Sequence, residues 1–288
     1  MRALLALLAA LPTPVLHALA VPLYLLLYHV VRYRRATVRE NLRHAFPKLS
    51  AAERRDIEKR SYRHFARILF EILRSTRMSR DEFTRRVRIA NPELLREATD
   101  NWQRQAIVML IHQGNWEWLL HGAMAQLPVS VDPVYKALHS PFWNRFMLDA
   151  RSRFGAEPMT LESVGRAVLR GRGKKRIIAM IADQSGPRFG GYWTDFLNRP
   201  ASFYRGAEKL AQSIKLPLLF AECRLVRTGY YEITFHVLSM PPHTDTGEDM
   251  LESYVRCAER AIARQPWTYL WTNRRWKKQP PDTGDHRS

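Results

Sequence analysis

Cysteine and acidic residues are both scarce in this chain, and each scarcity narrows what the protein can be. The 288 residues include only two cysteines, Cys223 and Cys257. Two cysteines are too few for a disulfide framework or a cysteine-ligated zinc site. Asp and Glu total 27 against 46 Lys and Arg, which leaves a formal net charge of +19. This excess predicts a polyanionic partner, namely nucleic acid, an anionic membrane surface or an acidic protein.

Charged residues are absent from 3–31, and about 20 apolar residues suffice to cross a bilayer. Pro12, Pro14 and Pro22 interrupt this segment. Because a proline inside a helix removes a hydrogen bond, we expect them to divide it into shorter pieces. Three interpretations compete. The segment is a signal peptide cleaved near Ala18-Leu19-Ala20, an uncleaved and kinked anchor, or a hairpin that lies in the membrane without spanning it.

Five arginines follow the apolar segment directly and argue against a cleaved signal peptide. They are Arg32, Arg34, Arg35, Arg39 and Arg43, and such a cluster tends to remain cytoplasmic. Each basic residue near an anionic leaflet adds about 1 kcal/mol of attraction. The sequence therefore predicts a membrane anchor at 1–31, a main domain at 32–278 and a polar tail at 279–288. Spanning and membrane-lying anchors both remain open.

Helical and strand patterns alternate after residue 50. Ser50 and Glu53 have capping-box spacing at the start of a helix. The apolar runs 106–111 and 176–182 suit strands that are buried on both faces. Further strands are expected at 129–135, 218–226 and 231–238, and helices at 92 onward, 115–126, 140–153, 161–170, 202–213 and 248–263. This alternation predicts an α/β fold with a central, mostly β, sheet flanked by helices, preceded by the N-terminal apolar helical segment.

The sharpest chemical signal is His112-Gln113-Gly114-Asn115-Trp116-Glu117, directly after the first buried strand. We expect the strand to deliver His112 to the carboxyl edge of the sheet, where open α/β sheets place their sites. A strand–turn–helix junction can fold the histidine back toward Glu117. Such a pair suits general-base catalysis, in which the imidazole takes a hydroxyl proton and the carboxylate fixes its tautomer. Taken alone, the same spacing also fits a purely structural pair.

Ordered sequence blocks over residues 15–278 resemble the lipid A biosynthesis (lauroyl/myristoyl) acyltransferases of Gram-negative bacteria. HQGNWEW is similar to the H-x-x-x-x-D/E box of the wider glycerolipid and lysophospholipid acyltransferase superfamily. The other blocks are RYRRATVRENLRHAFP at 32–47, VYK at 134–136 with Asn144, RSRFG at 151–155, DQ at 183–184, FLNRPASFYRGAEKLA at 196–211 and WTYLWTNRRWK at 267–277. The chain departs from the family pattern at Asn273, where histidine is usual, at Lys136, where arginine is usual, and at Leu197-Asn198, where Phe-Gly is usual.

The resemblance implies direct acyl transfer without a covalent enzyme intermediate. His112 would deprotonate an acceptor hydroxyl, Glu117 would orient the histidine, and the hydroxyl would attack an acyl thioester. Arg151 and Arg153 are candidates for binding phosphate or the developing oxyanion. Asp183 would hold one of these arginines or cap a helix. The remaining candidates for substrate binding are Asn115, Tyr135, Lys136, Ser202, Arg205 and Gly206, of which Ser202 fits a helix N-cap nearly as well.

The resemblance also implies the partners. The acyl donor would be acyl carrier protein, with coenzyme A as the less favoured donor, and the acceptor a phosphorylated lipid, best a lipid A precursor. No metal or cofactor is implied. The protein would lie on the anionic, cytoplasmic face of the inner membrane of a Gram-negative bacterium. The alternatives are acylation of another lipid, such as a lysophospholipid or glycolipid, and a non-catalytic protein that binds anionic membranes or nucleic acid. No nucleic-acid-binding motif is present, which disfavours nucleic acid.

Overall fold

The structure is a computed structural model that describes residues 2–281. Its strands are β1 Val87–Ile89, β2 Ala106–Leu110, β3 Ser130–Tyr135, β4 Met159–Thr160, β5 Arg176–Ile181, β6 Tyr192–Phe196, β7 Arg199–Phe203, β8 Leu218–Arg227 and β9 Tyr230–Ser239. Its α-helices are α1 Arg2–Ala10, α2 Thr13–Leu25, α3 Arg35–Ala45, α4 Ala51–Ser75, α5 Arg80–Arg86, α6 Pro92–Ala98, α7 Trp116–Gln126, α8 Pro141–Arg151, α9 Val164–Arg170, α10 Ala207–Ile214 and α11 Gly247–Arg264. The polar tail expected at 279–288 lies, beyond residue 281, outside the described residues.

Seven strands form one sheet in the order β1-β9-β8-β2-β5-β3-β4, while β6 and β7 form a separate antiparallel hairpin. Neighbours in the large sheet run parallel except β8 and β9, which are antiparallel. This architecture confirms the predicted α/β fold. Strands β2 and β5 are adjacent near the centre, with Leu110 paired to Ile181. Their carboxyl ends therefore bring the residues that follow them, His112 and Asp183, to the same edge of the sheet.

Two apolar cores lie on the two faces of the sheet. Along β2 the side chains alternate, so that Ile107 and Met109 enter one core and Ala106 and Val108 the other. The first core also receives residues of α2, α3, α4, α10 and α11, and the second receives residues of α5, α6 and α7. Helices thus cover both faces, which explains why the central strands are apolar without interruption.

Most helix and strand predictions are confirmed, including the capping box of Ser50 and Glu53 at the start of α4. The helix expected at 202–213 is wrong at its beginning, because Ser202 lies in β7 and α10 begins at residue 207. The β6–β7 hairpin was not predicted. Its two turn residues, Leu197 and Asn198, have φ values of +52° and +64°, as a tight hairpin turn requires, and asparagine tolerates this conformation well.

The N-terminal apolar segment forms two helices that pack against the body of the protein. The chain breaks between α1 and α2 at Pro12, as predicted, but Pro22 lies inside α2 without ending it. A π-helical turn, Leu26–Val30, continues α2, and Thr13–Val30 is long and apolar enough to cross a membrane. One face of α2, with Leu16, Ala20 and Tyr24, is buried. The opposite face is apolar and exposed.

Candidate active site

The candidate site is built around the turn between β2 and α7, residues 112–115. The His112 carbonyl accepts a hydrogen bond from the Leu270 N–H at 2.9 Å, and the Gly114 N–H donates to the Thr268 carbonyl at 3.0 Å. Gly114 has a φ of +61°, and a Cβ there would lie 2.2 Å from the Cys223 sulfur. Only glycine fits this position. The turn is therefore fixed by the C-terminal segment on one side and by β8 on the other.

His112 forms a dyad with Asp183. The ring Nδ1 lies 2.7 Å from Asp183 Oδ1, and the His112 backbone N–H donates to Oδ2 at 3.2 Å. Burial opposes ionisation of Asp183, but the His112 ring and N–H outweigh it and hold the pKa of Asp183 below its ordinary value. An ionised carboxylate only accepts, so Nδ1 carries the proton and Nε2 carries the lone pair. Among the described residues Nε2 makes no hydrogen bond, and it is the basic atom open to a substrate.

Glu117 forms a second ion pair, with Arg151. Arg151 donates from Nε to Glu117 Oε2 at 3.0 Å and from Nη2 to Oε1 at 2.6 Å, a two-pronged arrangement that fits a carboxylate well. Burial opposes ionisation of Glu117, but Arg151 prevails and lowers the pKa of Glu117. The Nη1 group of Arg151 makes no hydrogen bond with the described residues. It remains available to an oxyanion or phosphate.

These contacts change two of the expected roles. The carboxylate that holds the His112 ring is Asp183, whereas the H-x-x-x-x-E spacing had suggested Glu117. Asp183 holds neither an arginine nor a helix end. Sequence spacing missed this pairing because Asp183 comes from a different strand, 71 positions further along the chain. The signal for it was the apolar run of β5, which ends directly before Asp183 at the same sheet edge.

Asn115 supports the turn instead of facing open space. Its side chain is fully buried, its Oδ1 accepts from the Trp118 N–H at 3.0 Å, and its Nδ2 donates to Glu71 at 2.8 Å. It is thus the N-cap of α7. Because both of its polar atoms are occupied, the geometry gives it a structural role in place of the expected substrate contact.

Arg153, Ser202 and Arg205 are also engaged within the protein. Arg153 donates to the backbone carbonyls of Ser75 and Met78, which directs it toward the end of α4 and away from a phosphate. The Ser202 hydroxyl donates to the Pro187 carbonyl and caps no helix. Arg205 pairs with Glu208 and Glu248, at 3.3 and 3.2 Å. Gly206 is exposed at the start of α10.

Tyr135 and Lys136 lie where β3 ends, at the same sheet edge as His112 and Asp183. Tyr135 is half-buried and lies close enough to Arg151 to influence the pKa of that arginine. Lys136 is exposed. Both remain candidates for contact with a substrate.

An apolar pocket opens beside this edge, between α7 and one face of the sheet. Its empty volume is about 690 Å³, including the open solvent at its mouth. Its polar lining consists of Glu117 and Arg151. Trp116 also lines the pocket, and its ring centroid lies 5.0 Å from that of His112. The apolar lining includes Val108, Leu110, Leu120, Ala123, Ile177, Ala179, Ala221 and Phe235. Such a pocket suits a hydrocarbon chain.

The model of the bacterial lipid A biosynthesis acyltransferase family matches residues 1–278. The chain belongs to this family. It is therefore an acyltransferase of lipid A biosynthesis, and the function classes without catalysis are excluded. A comparison with curated proteins finds no match.

Two sequence blocks of this acyltransferase that are far apart in the chain meet in the structure. Asn41 of the N-terminal basic block donates from Nδ2 to the carbonyls of Trp271 and Asn273, at 2.9 and 3.0 Å. These carbonyls belong to the C-terminal block that also holds the turn between β2 and α7. Asn273, which stands where histidine is usual in the family, thus contributes its backbone at this junction.

The sequence reasoning missed Arg275, a buried side chain of the acyltransferase that lies close enough to Asp183 for their charges to interact. Its guanidinium lies over the Phe203 ring at 4.2 Å, and none of its three nitrogens has a hydrogen-bond partner among the described residues. Burial lowers the pKa of Arg275, while Tyr269 and Asp183 act in the opposite direction. The only signal was its place in a block rich in basic residues. Residues 2–281 contain no group of three or more potential ligands that would hold a metal ion.

Proposed function

We propose that this acyltransferase moves a fatty acyl chain from an acyl thioester to a hydroxyl of a lipid A precursor, with His112 as the general base. The observation that carries the proposal is the dyad of His112 and Asp183, which leaves Nε2 without a partner among the described residues. The His112 ring also contacts Trp116, which lines the apolar pocket. The carboxylate fixes the tautomer of the ring and stabilises the imidazolium that forms during proton transfer.

The reaction proceeds without an enzyme-bound acyl group. Nε2 of His112 removes the proton as the acceptor oxygen attacks the thioester carbon. The carbon–sulfur bond then breaks, and the leaving thiolate takes the proton from the imidazolium. Arg151 Nη1 would stabilise the oxyanion formed at the carbonyl. The two cysteines support direct transfer, because both are buried and burial raises the pKa of Cys223 to about 12, far from what a reactive thiol needs.

The pocket between α7 and the sheet would hold the acyl chain. Its lining is apolar except at the end where Glu117 and Arg151 lie, so a chain that enters it places its carbonyl carbon near the polar end. Each methylene buried there contributes about 0.8 kcal/mol. A donor whose chain fits the pocket is thereby preferred over longer and shorter ones.

The segment α1–α2 would lie in the membrane interface without spanning it. Spanning would remove the packing of Leu16 and Tyr24 against the protein, whereas a membrane-lying helix keeps it. The outer face is apolar and exposed, with Leu4, Leu7, Val15, Leu19, Val21, Leu25, Leu26, Val30 and Val31. Arg32, Arg34 and Arg43 are exposed directly after it, in a position to attract anionic lipids on a cytoplasmic leaflet. Arg35 and Arg39 instead pair with the buried Glu58.

Acyl carrier protein is the donor that the charge of the chain favours. A net charge of +19 would attract an acidic carrier protein and accelerate its association. The rate with acyl carrier protein should then fall steeply with added salt, more steeply than the rate with coenzyme A. Equal salt dependence of the two donors would favour coenzyme A.

The test is mass spectrometry of lipids after the membrane-bound enzyme is incubated with acyl thioesters of both carriers in a series of chain lengths. A new acyl ester on a lipid A precursor is expected with the wild type and is lost with His112→Ala. The matched control is His139→Ala, which removes an exposed histidine and should leave the product unchanged. A new ester on a lysophospholipid or glycolipid instead would overturn the proposed acceptor, and an undiminished product with His112→Ala would overturn the mechanism.

A further inference from the structure

Glu71, near the C-terminal end of α4, is a buried carboxylate bound by three other elements. Its side chain is 1% exposed. Oε1 lies 2.8 Å from Nε2 of His17, which belongs to α2. Oε2 accepts from Asn115 Nδ2 at 2.8 Å and from the Tyr231 hydroxyl at 2.6 Å. These hydrogen bonds offset the cost of burying the Glu71 carboxylate. No step of the proposed mechanism uses this cluster.

The cluster determines where the catalytic turn sits. Asn115, which Glu71 holds, is the N-cap of α7 and so fixes the start of that helix. The Trp118 indole N–H adds a bond to the Glu71 carbonyl at 2.7 Å. At the start of α7, Trp116 contacts the His112 ring. A shift of Glu71 would therefore reach the catalytic histidine through two side chains.

His17 brings the N-terminal helix into the same network. It lies on α2, 54 positions before Glu71 in sequence, and its side chain is only 15% exposed. If α2 leaves its position against α4, Oε1 of Glu71 loses its partner. A buried carboxylate with an unpaired oxygen turns toward other donors, and one of the donors bound to Glu71 is Asn115 of the catalytic turn.

We propose that Glu71 is a positioning residue which couples the seating of α2 on α4 to the geometry of the catalytic turn. The N-terminal helix is then part of the support of the active site as well as a membrane-binding element. The catalytic consequence rests on the function proposed above. The structural consequence, a turn that loosens when His17 is removed, does not.

The test compares His17→Leu with His17→Gln and His29→Leu. Leucine removes the ring donor, glutamine retains an N–H for Glu71, and His29 is an exposed histidine of the same apolar segment. A small displacement of reacting groups can cost up to about 100-fold in rate. We expect kcat of His17→Leu to fall by roughly 10-fold to 100-fold, with KM for the thioester and binding to anionic vesicles unchanged. His17→Gln should recover most of the rate, and His29→Leu should behave as the wild type.

Hydrogen exchange of the peptide that covers 112–118 gives a readout that needs no activity. Exchange should become faster in His17→Leu and in Glu71→Gln. Glutamine keeps the shape of the glutamate side chain, so Glu71→Gln serves as the test variant if His17→Leu fails to fold. Unchanged exchange and unchanged kcat in His17→Leu would overturn the coupling. So would a loss of kcat that only follows a loss of vesicle binding. Absence of acyl transfer by the wild type would refute the proposed function alone, since the exchange comparison still decides the coupling.

Discussion

Replacement of Asp183 by asparagine tests the role of Asp183 independently of Glu117, the other carboxylate of the site. Asparagine keeps the shape of the side chain but removes the charge and places an N–H₂ group where one carboxylate oxygen accepts. In the wild type those oxygens bind His112 Nδ1 at 2.7 Å and the His112 N–H at 3.2 Å. The amide oxygen satisfies only one of these donors, so the ring either turns or adopts the tautomer with its proton on Nε2, which no longer acts as a base.

The size of the effect follows from these losses. General-base catalysis contributes about 10²- to 10⁴-fold, which corresponds to roughly 3–5 kcal/mol of barrier at 1.36 kcal/mol per factor of ten. We expect kcat of Asp183→Asn to fall by that factor at neutral pH, with KM little changed.

Because the pKa of Asp183 is lowered, the carboxylate is fully ionised above the ordinary carboxyl pKa. Its contribution to stability is lost only as the pH falls through the lower pKa of the folded state.

The assay is acyl transfer from a thioester to a lipid A precursor, measured with variants whose thermal unfolding has been checked. Asp56→Asn is the matched control, because Asp56 is an exposed aspartate on α4, and it should retain the wild-type rate. A folded Asp183→Asn variant whose kcat stays within about threefold of the wild type would refute the reasoning. The ring would then be oriented by another group.

Three further outcomes are expected. Glu117→Gln should lower the free energy of unfolding by about 3–5 kcal/mol in denaturant titrations, because the largely buried Arg151 loses its charged partner; an unchanged midpoint would contradict this. Burial lowers the pKa of His121 to about 4, so its part of the stability is lost as the pH falls from about 6.5 toward 4. His121→Leu should accordingly show a smaller difference in urea midpoint between neutral and mildly acidic pH, and a difference as large as in the wild type would exclude His121 as a cause. Val21→Asp should weaken binding to anionic vesicles at least tenfold, because a valine loses about 1.5–3 kcal/mol of burial. Val226→Asp, at 51% exposure against 52% for Val21, is the control, and equal loss in both would argue against a membrane face on α2.

The local sequence signals were sufficient for most of the secondary structure. Continuous apolar runs predicted β2 and β5, and a capping box predicted the start of α4, because these features depend on neighbours in the chain. The β6–β7 hairpin was missed, since its turn has Leu-Asn in place of glycine, and Ser202 looked like a helix cap. Pro22 was expected to interrupt α2, but packing of that helix on α4 keeps it continuous across the proline.

The sequence predicted which residues form the candidate site, but only in part which of them bind one another. His112, Glu117, Arg151 and Asp183 all came from sequence blocks, and all four lie together at the sheet edge. Which carboxylate meets the histidine depended on strand order, because β2 and β5 are neighbours although about 70 residues separate their ends. Arg275 was not predicted, because its place in a basic block does not indicate that its side chain is buried without a hydrogen-bond partner.

The sequence by itself determined the α/β class, the family resemblance, the residue types of the site and the apolar, arginine-flanked N-terminus. These properties are written in local periodicity, in ordered motifs and in composition. The tertiary structure decided that Asp183 holds His112, that Glu117 holds Arg151, and that the N-terminal helix packs through His17 onto Glu71. Each of these is a contact between residues distant in the chain. Their geometry follows from the order of the strands and from the packing of helices on the sheet, which no single stretch of sequence specifies.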